Sequence, residues 1–254
     1  MRQDLYRESF DQEKYYWWHV AKHKLVIFLI KKFAKDSNLK ILDLGCGTGM
    51  LAKKLEKMGK VYGLDNSTEA VKLAQKRGLK KILRYNLEVT PFPFKKNQFN
   101  IILALDVFEH LQFPEKTLFE IKRILKPNGL LICTVPSYQF LWSYWDQMLD
   151  HFRRYTKDSF VFFLKSKKFK PLFSSYFHTF IFLPSIIIRF TKQAKYKLKK
   201  RTYQKLSSDF IHLPKFLNNL LLLISNIELK LIKYSSLPFG LSIVIVCQNL
   251  KNES

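Results

Sequence analysis

Short apolar runs between Leu39 and Val135 alternate with stretches of helical period. Residues 40–44 (Lys-Ile-Leu-Asp-Leu) read as a buried strand, and residues 50–58 as a helix with Leu51, Leu55 and Met58 on one face. Residues 61–65 give a second strand, followed by a helix to about Arg77 that Asn66 or Ser67 can cap. Residues 81–85 and 99–105 are the third and fourth strands, residues 114–125 a helix, and residues 130–135 a fifth strand after the turn Lys126-Pro127-Asn128-Gly129. Strands separated by crossover helices predict a mostly parallel sheet covered on both faces.

Ahead of this core, residues 15–33 read as a helix whose apolar mass comes from Trp17, Trp18, Val20, Ala21, Leu25, Phe28 and Leu29. It is expected to act as a lid, so that residues 1–38 form an N-terminal helical unit. After the fifth strand, residues 136–155 are aromatic-rich and irregular, residues 158–168 are helical, and residues 241–246 are a strand. The core is therefore expected over residues 39–176 and 237–254, interrupted by an insertion at 177–236 that the α/β unit does not require.

The insertion has its own character. Residues 177–188 are the most apolar stretch, but His178, Thr179, Pro184 and Ser185 interrupt it and Arg189 ends it. That falls short of the roughly 20 apolar residues a spanning helix needs. Arg189, Lys192, Lys195, Lys197, Lys199, Lys200, Arg201 and Lys205 then place eight bases in seventeen positions with no acid among them. Apolar burial and electrostatic attraction would add at an anionic membrane surface. A substrate cap with a solvated lysine face accounts for the same pattern. Residues 213–234, with Leu217, Leu220, Leu221, Ile224, Ile227 and Leu231, fit a helix that can pack on the domain or lie on lipid.

Composition sharpens this picture. The 254 residues carry 44 Lys+Arg against 20 Asp+Glu, a formal charge of +24, and 47% are hydrophobic, which excludes disordered and collagen-like classes. Residues 161–254 hold 16 bases and only three acids, so the basic and apolar parts coincide and favour an anionic partner. Three cysteines, Cys46, Cys133 and Cys247, argue against a disulfide framework and for a cytoplasmic, reducing compartment. Charges at Arg2, Asp4, Arg7, Glu8, Asp11 and Glu13 argue against a secretory signal peptide.

Asp43-Leu44-Gly45-Cys46-Gly47-Thr48-Gly49 follows the first strand and opens a helix. Glycines there let the backbone turn sharply and approach a ligand, and the helix start supplies free amides. Sixteen residues beyond Gly49, Asp65 ends the second strand, where a carboxylate can accept both hydroxyls of a ribose. The glycine loop has no lysine, which argues against a triphosphate-binding loop.

This order of motifs resembles the class I S-adenosylmethionine-dependent methyltransferases. The resemblance continues through Pro91-Phe92-Pro93-Phe94, Phe99-Asn100-Ile101-Ile102, Asp106-Val107-Phe108-Glu109-His110 and Leu125-Lys126-Pro127-Asn128-Gly129. It implies a Rossmann-like, doubly wound α/β sheet of seven strands with an N-terminal helix and a helical insertion before the last strand. It implies S-adenosylmethionine as cofactor, with Gly45, Gly47 and Gly49 along its methionine and ribose parts, Asp43 near the amino group and Asp65 on the ribose. Cys46, Leu87 and Leu105 complete the expected cofactor contacts. Relatives often carry Asp-Ala-Glu before the Leu-Pro-Phe-like turn; here Asn86 occupies that place, and its side-chain oxygen can still accept from the adenine amine.

Asp106, Glu109 and His110 fall where the family places the methyl group and substrate, and are the expected catalytic residues. Methyl transfer to a hydroxyl needs alignment and loss of a proton, so His110 is the candidate base; a His that only orders the loop is the competing reading. Asp106-x-x-Glu109-His110 also resembles the Glu-x-x-Glu-His metal cluster of O-methyltransferases acting on quinone precursors, although no metal is expected here, the first acid being shorter. His151-Phe152-Arg153-Arg154-Tyr155-Thr156 resembles a His-x-Arg-Arg-Tyr run in a bacterial and archaeal branch of these enzymes. His151, Arg153, Arg154 and Tyr155, with Tyr138, Trp18 and His19, are the expected substrate contacts. Arg153 or Arg154 can grip a phosphate or carboxylate, or pair with Asp146 or Asp150 to hold the loop.

The expected activity is methyl transfer to an oxygen or nitrogen of a small, lipid-linked or glycan-related acceptor, with peripheral association at the inner face of the membrane. An RNA methyltransferase, for which the charge would be a footprint, and a non-catalytic cofactor-binding adaptor are the alternatives.

Overall fold

The computed structural model describes residues 3–198 and 213–250. Two helices, α1 (Gln3–Gln12) and α2 (Trp17–Phe33), precede β1 (Leu39–Leu44), α3 (Met50–Leu55), β2 (Gly59–Asp65), α4 (Thr68–Lys76) and β3 (Ile82–Arg84). Then come β4 (Phe99–Leu105), α5 (Pro114–Ile124), β5 (Leu125–Pro136), α6 (Tyr144–Met148), α7 (Lys157–Ser166) and β6 (Phe169–Phe177). The chain closes with α8 (Phe182–Leu198), α9 (Lys215–Tyr234) and β7 (Ser242–Asn249).

The seven strands form one sheet in the order β3-β2-β1-β4-β5-β7-β6, all parallel except β7, which runs antiparallel to both neighbours. Period-two alternation sends Leu42, Leu44, Ile102, Ala104, Cys133 and Ile245 into one apolar layer with α5 and α7. Ile41, Ile101, Leu103, Ile132, Val244 and Val246 face the other layer, with α2, α3 and α4. Burying each such side chain contributes on the order of 1.5–3 kcal/mol. The three cysteines are free and buried.

Chain order reverses between β1 and β4, so the loops after these strands flank a crevice at the carboxyl edge of the sheet. Local signals set the helix starts around it. Ser67, not Asn66, caps α4, its hydroxyl accepting from the Ala70 N–H at 3.2 Å. Thr156 and Ser159 cap α7 reciprocally. The predicted turn at residues 126–129 is a bulge within a longer β5, where pairing with β4 shifts between Phe99 and Ile101. The region 136–155 is less irregular than expected, because Ser143 and Asp146 form a capping box that starts α6. Two elements escape the sequence pattern: α1, whose polar face is held by tertiary contacts, and β6, whose pairing with β7 shifts around Pro171.

Candidate active site

The loop after β1 is the floor of the crevice. Gly45, Gly47 and Gly49 have φ of 66°, 53° and 79°, the left-handed region that disfavours other residues. A side chain at Gly49 would strike Leu79 and Ala74, so this glycine lets α3 pack on α4. One at Gly47 would meet nothing within 4 Å, so here the loop faces open space that a ligand can approach. Asp65, at the end of β2, accepts from the Gly47 N–H at 2.8 Å and the Ser67 N–H at 2.9 Å, which fixes its carboxylate against the loop. Burial pushes its pKa up. Burial, then the nearby Asp65 and Glu13, raises Asp43 to about 7. Such a cluster of carboxylates around a glycine loop fits a ligand bearing an amine and hydroxyls. Cys46 is buried with its thiol pushed up by burial, Leu87 is buried and Leu105 half-buried; Asn86 is exposed, its side-chain oxygen accepting from the Glu88 N–H at 3.0 Å.

The N-terminal helices cross this floor, and the part taken by α1 is one the sequence pattern leaves unmarked. Thr48 donates its hydroxyl to Glu13, and Arg77 bonds Glu13, the Thr48 carbonyl and the Phe10 carbonyl. Tyr6 stands beside Asp65, its phenol raised to about 12 mainly by burial and secondarily by that charge. Lys22 on α2 pairs with Asp106, the residue after β4, which also accepts from the Thr134 hydroxyl at 2.7 Å. Burial alone would raise the Asp106 pKa, but Lys22 and Thr134 outweigh it and hold it low. Asp106 is thus an ionised anchor between α2 and β5 rather than a free base.

Glu109 and His110 lie on a 3-10 turn (Phe108–His110) just beyond. His151 comes from the loop after α6, and Glu109, His110 and His151 offer ligand atoms all within 4.8 Å of one another. Glu109 is 1% exposed, its Oε2 has no partner, and burial drives its pKa well up. Burial, then His151, lowers His110 to about 4, so it is uncharged at neutral pH. One of its ring nitrogens bonds the Asp150 carbonyl, which leaves the other with a lone pair. Two imidazoles and a carboxylate would suit a divalent ion. In that donor set His151 takes the place that the sequence resemblance gave to Asp106.

A fully buried Asp146 holds the loop that carries His151. Its carboxylate accepts from His151 Nδ1 at 2.9 Å, Arg154 Nε at 2.7 Å and the Ser143 N–H at 2.8 Å. Arg154 also donates to the Ser137 carbonyl at 3.0 Å and is itself buried. Its guanidinium is consumed by the protein, so the expectation that Arg154 grips substrate is corrected. Arg153 is half-buried and donates to the Gln112 carbonyl at 3.0 Å. Tyr155 packs under the 3-10 turn, its hydroxyl reaching the Phe108 carbonyl at 3.4 Å. Tyr138 stacks on Tyr176, with ring centroids 5.2 Å apart.

Trp18 stacks on His178 at 3.9 Å, and Trp17 meets the same imidazole edge-on at 5.3 Å. His19 is half-buried and its pKa lowered to about 3, by desolvation and then by Lys22. His178 is the residue the sequence does not single out: it follows β6 with φ of 62°, is 1% exposed, and neither ring nitrogen has a partner. Burial holds it uncharged. Two unsatisfied buried nitrogens destabilise, at about 1–3 kcal/mol for each group. His178→Phe, which keeps the stack, is therefore expected to raise the thermal midpoint by several degrees. A lowered midpoint would mean that these nitrogens find partners in solution.

Comparison with known proteins bears on the family and the fold. The family described as a methyltransferase domain matches residues 42–133. An uncharacterized protein of Methanocaldococcus jannaschii is 30% identical over 164 residues, covering 63% of this chain and 67% of that protein. The mitochondrial ubiquinone biosynthesis O-methyltransferase of Schizosaccharomyces pombe is 29% identical over 143 residues, 49% of this chain and 52% of that enzyme. The chain thus spans about two thirds of the first and about half of the second. Among solved structures, the putative methyltransferase from a complex with the Haloferax volcanii Trm112 methyltransferase activator superposes with a TM-score of 0.63 at 17% identity, over 99% of this chain and 96% of that one; it shares the fold. With the glycine loop, Asp65 and the switch-point crevice in place, the chain belongs to the class I S-adenosylmethionine-dependent methyltransferases.

Proposed function

We propose that the protein transfers the methyl group of S-adenosylmethionine to a hydroxyl oxygen, or less readily to a nitrogen, of a small lipid-linked or glycan-related acceptor at the inner face of a membrane. The observation that carries this reading is the uncharged His110 beside Glu109 and His151, at the carboxyl edge next to the glycine loop. Relatives named as a ubiquinone biosynthesis O-methyltransferase and a demethylmenaquinone methyltransferase support this acceptor class.

The cofactor supplies an electrophilic methyl group on a sulfonium. Asp65 would hold its ribose side, and Asp43 would lie toward the amino group. Trp18, Tyr138 and the ring of His151 wall the acceptor side and exclude water. His110 accepts the acceptor's hydroxyl proton at its free nitrogen, a role that needs an imidazole neutral at the working pH. Asp146 orients His151, and Lys22 and Asp106 brace α2 over the strand ends. Arg153, at the rim, offers a cation to an acidic group on the acceptor.

The test is transfer of labelled methyl from S-adenosylmethionine into a host extract, followed by partition into organic solvent, nucleic acid and small aqueous molecules. Label is expected in the organic phase, and His110→Ala is expected to lower it by about 10²–10⁴-fold, the range for a general base. Label confined to nucleic acid would overturn the acceptor class. Undiminished label with His110→Ala would remove His110 from the chemistry.

A further inference from the structure

Helix α9 carries apolar residues on its outward side as well as its inward one. Its buried positions are mostly polar: Asn218, Ser225 and Glu228, with Ile232. Each polar group is satisfied within the fold. Asn218 accepts from the Trp17 N–H at 2.9 Å and donates to the Tyr15 carbonyl at 3.0 Å. Ser225 donates to the Leu221 carbonyl at 2.8 Å, and Glu228 accepts from the Thr179 N–H at 2.8 Å. The outward stripe, by contrast, is Phe216, Leu220, Leu223, Ile227, Leu231 and Tyr234, all exposed, Phe216 to 74%. Those positions recur at the i, i+4, i+7 spacing of one helical face. Leu229 and Ile232 do pack on the core, yet six large apolar side chains in one exposed stripe still require a cover.

The charges around the stripe select the cover. Lys215, Lys230 and Lys233 are exposed on α9, and its one acid, Glu228, faces inward. Helix α2 runs beside α9, with Lys24 donating to Asn226 at 2.8 Å and Lys32 to the Lys233 carbonyl at 3.4 Å, which adds two cations along the same seam. A second copy would bring another +24 against these lysines, whereas an anionic surface is drawn to them. Among the described residues no helix is long and apolar enough to cross a membrane, so α9 would lie in the interface plane. Helix α8 exposes Leu183, Ile187 and Phe190 as well.

We infer that the outward stripe of α9 is a docking surface for anionic lipid, seating Phe216, Leu220, Leu223, Ile227 and Leu231 among acyl chains with the flanking lysines at the headgroups. This deepens the membrane part of the proposed function and rests on it. It moves the anchor from the basic run the sequence emphasised, whose Lys199, Lys200, Arg201 and Lys205 lie outside the described residues, to a helix of defined geometry.

Flotation of the full chain with phosphatidylcholine vesicles, with and without phosphatidylglycerol, tests it. Wild type is expected to float only with the anionic vesicles. Leu220→Gln/Leu223→Gln/Ile227→Gln, all exposed positions, is expected to lose roughly tenfold or more of that binding with unchanged circular dichroism. Lys215→Gln/Lys230→Gln/Lys233→Gln is expected to lose it in proportion to charge and to lessen its salt sensitivity. Wild type that stays with the aqueous phase, or an apolar variant that floats like wild type, overturns the surface. So does a wild-type dimer in light scattering that the apolar variant dissolves, which would make the stripe a self-association face. Organic-phase label with unaffected flotation of the apolar variant would sink this surface alone; α9-dependent flotation with label elsewhere would sink only the acceptor reading.

Discussion

Asp146→Ala is expected to destabilise the protein by about 3–5 kcal/mol, because removing one partner of a buried ion pair leaves the other charge uncompensated. The carboxylate is wholly buried, and the Arg154 side chain that depends on it is only 3% exposed. His151 Nδ1 and the Ser143 N–H lose their acceptor in the same step. Urea unfolding of the variant measures the loss, and a change below about 1 kcal/mol would rank the network with ordinary surface pairs. The pH direction follows from the same contacts. Burial alone would raise the Asp146 pKa, but His151 and Arg154 hold it well below the usual carboxylate range. Its stabilisation is therefore complete above the ordinary value of about 4 and is lost as pH falls toward the folded value. Asp43 and Glu228, raised to about 7 mainly by burial, act in the opposite sense: native protein holds their protons longer, so their contribution declines as pH rises from about 4 to 7.

Asp65→Ala is expected to weaken S-adenosylmethionine binding roughly a hundredfold, since a hydrogen bond to a charged group contributes about 1.5–3 kcal/mol and this carboxylate can accept more than one. Its second effect is on the protein itself: the Gly47 and Ser67 N–H groups lose their acceptor, so the loop that approaches the cofactor loosens. Asp65→Asn keeps an acceptor oxygen while removing the charge, and is expected to fall between the two. Calorimetric titration measures all three. Unchanged affinity in the alanine variant would place the ribose elsewhere.

The parallel core was legible because each strand is a short apolar run bounded by turn residues, and each early helix has its own cap or face. The site's cofactor half was legible for a related reason: glycines that need positive φ and an acid at a strand end are local requirements. The acceptor half is built from contacts distant in sequence. Lys22 meets Asp106, and Trp18 meets His178, and nothing in the local pattern of either partner announces the other. Arg154 illustrates the middle case, since pairing with Asp146 was one of two open readings and burial of both groups decides it. Helix α9 shows where periodicity misleads. Its apolar positions predict a helix correctly, but which face turns inward depends on Asn218 and Glu228 finding particular backbone groups on α2 and after β6.

The antiparallel β7 also orders events during synthesis. It is the neighbour of both β5 and β6, and among the described residues β6 has no other strand beside it. As the chain leaves the ribosome, β1 to β5 can assemble with their crossover helices, since each pairs with strands already made. Strand β6, and with it His178 and the Tyr176 on which Tyr138 stacks, must wait for residues 242–249 to emerge and fill the gap. The nascent protein thus acquires its glycine loop and Asp65 well before its acceptor wall, and an arrest ahead of Ser242 leaves a cofactor-binding half with an unpaired β5 edge.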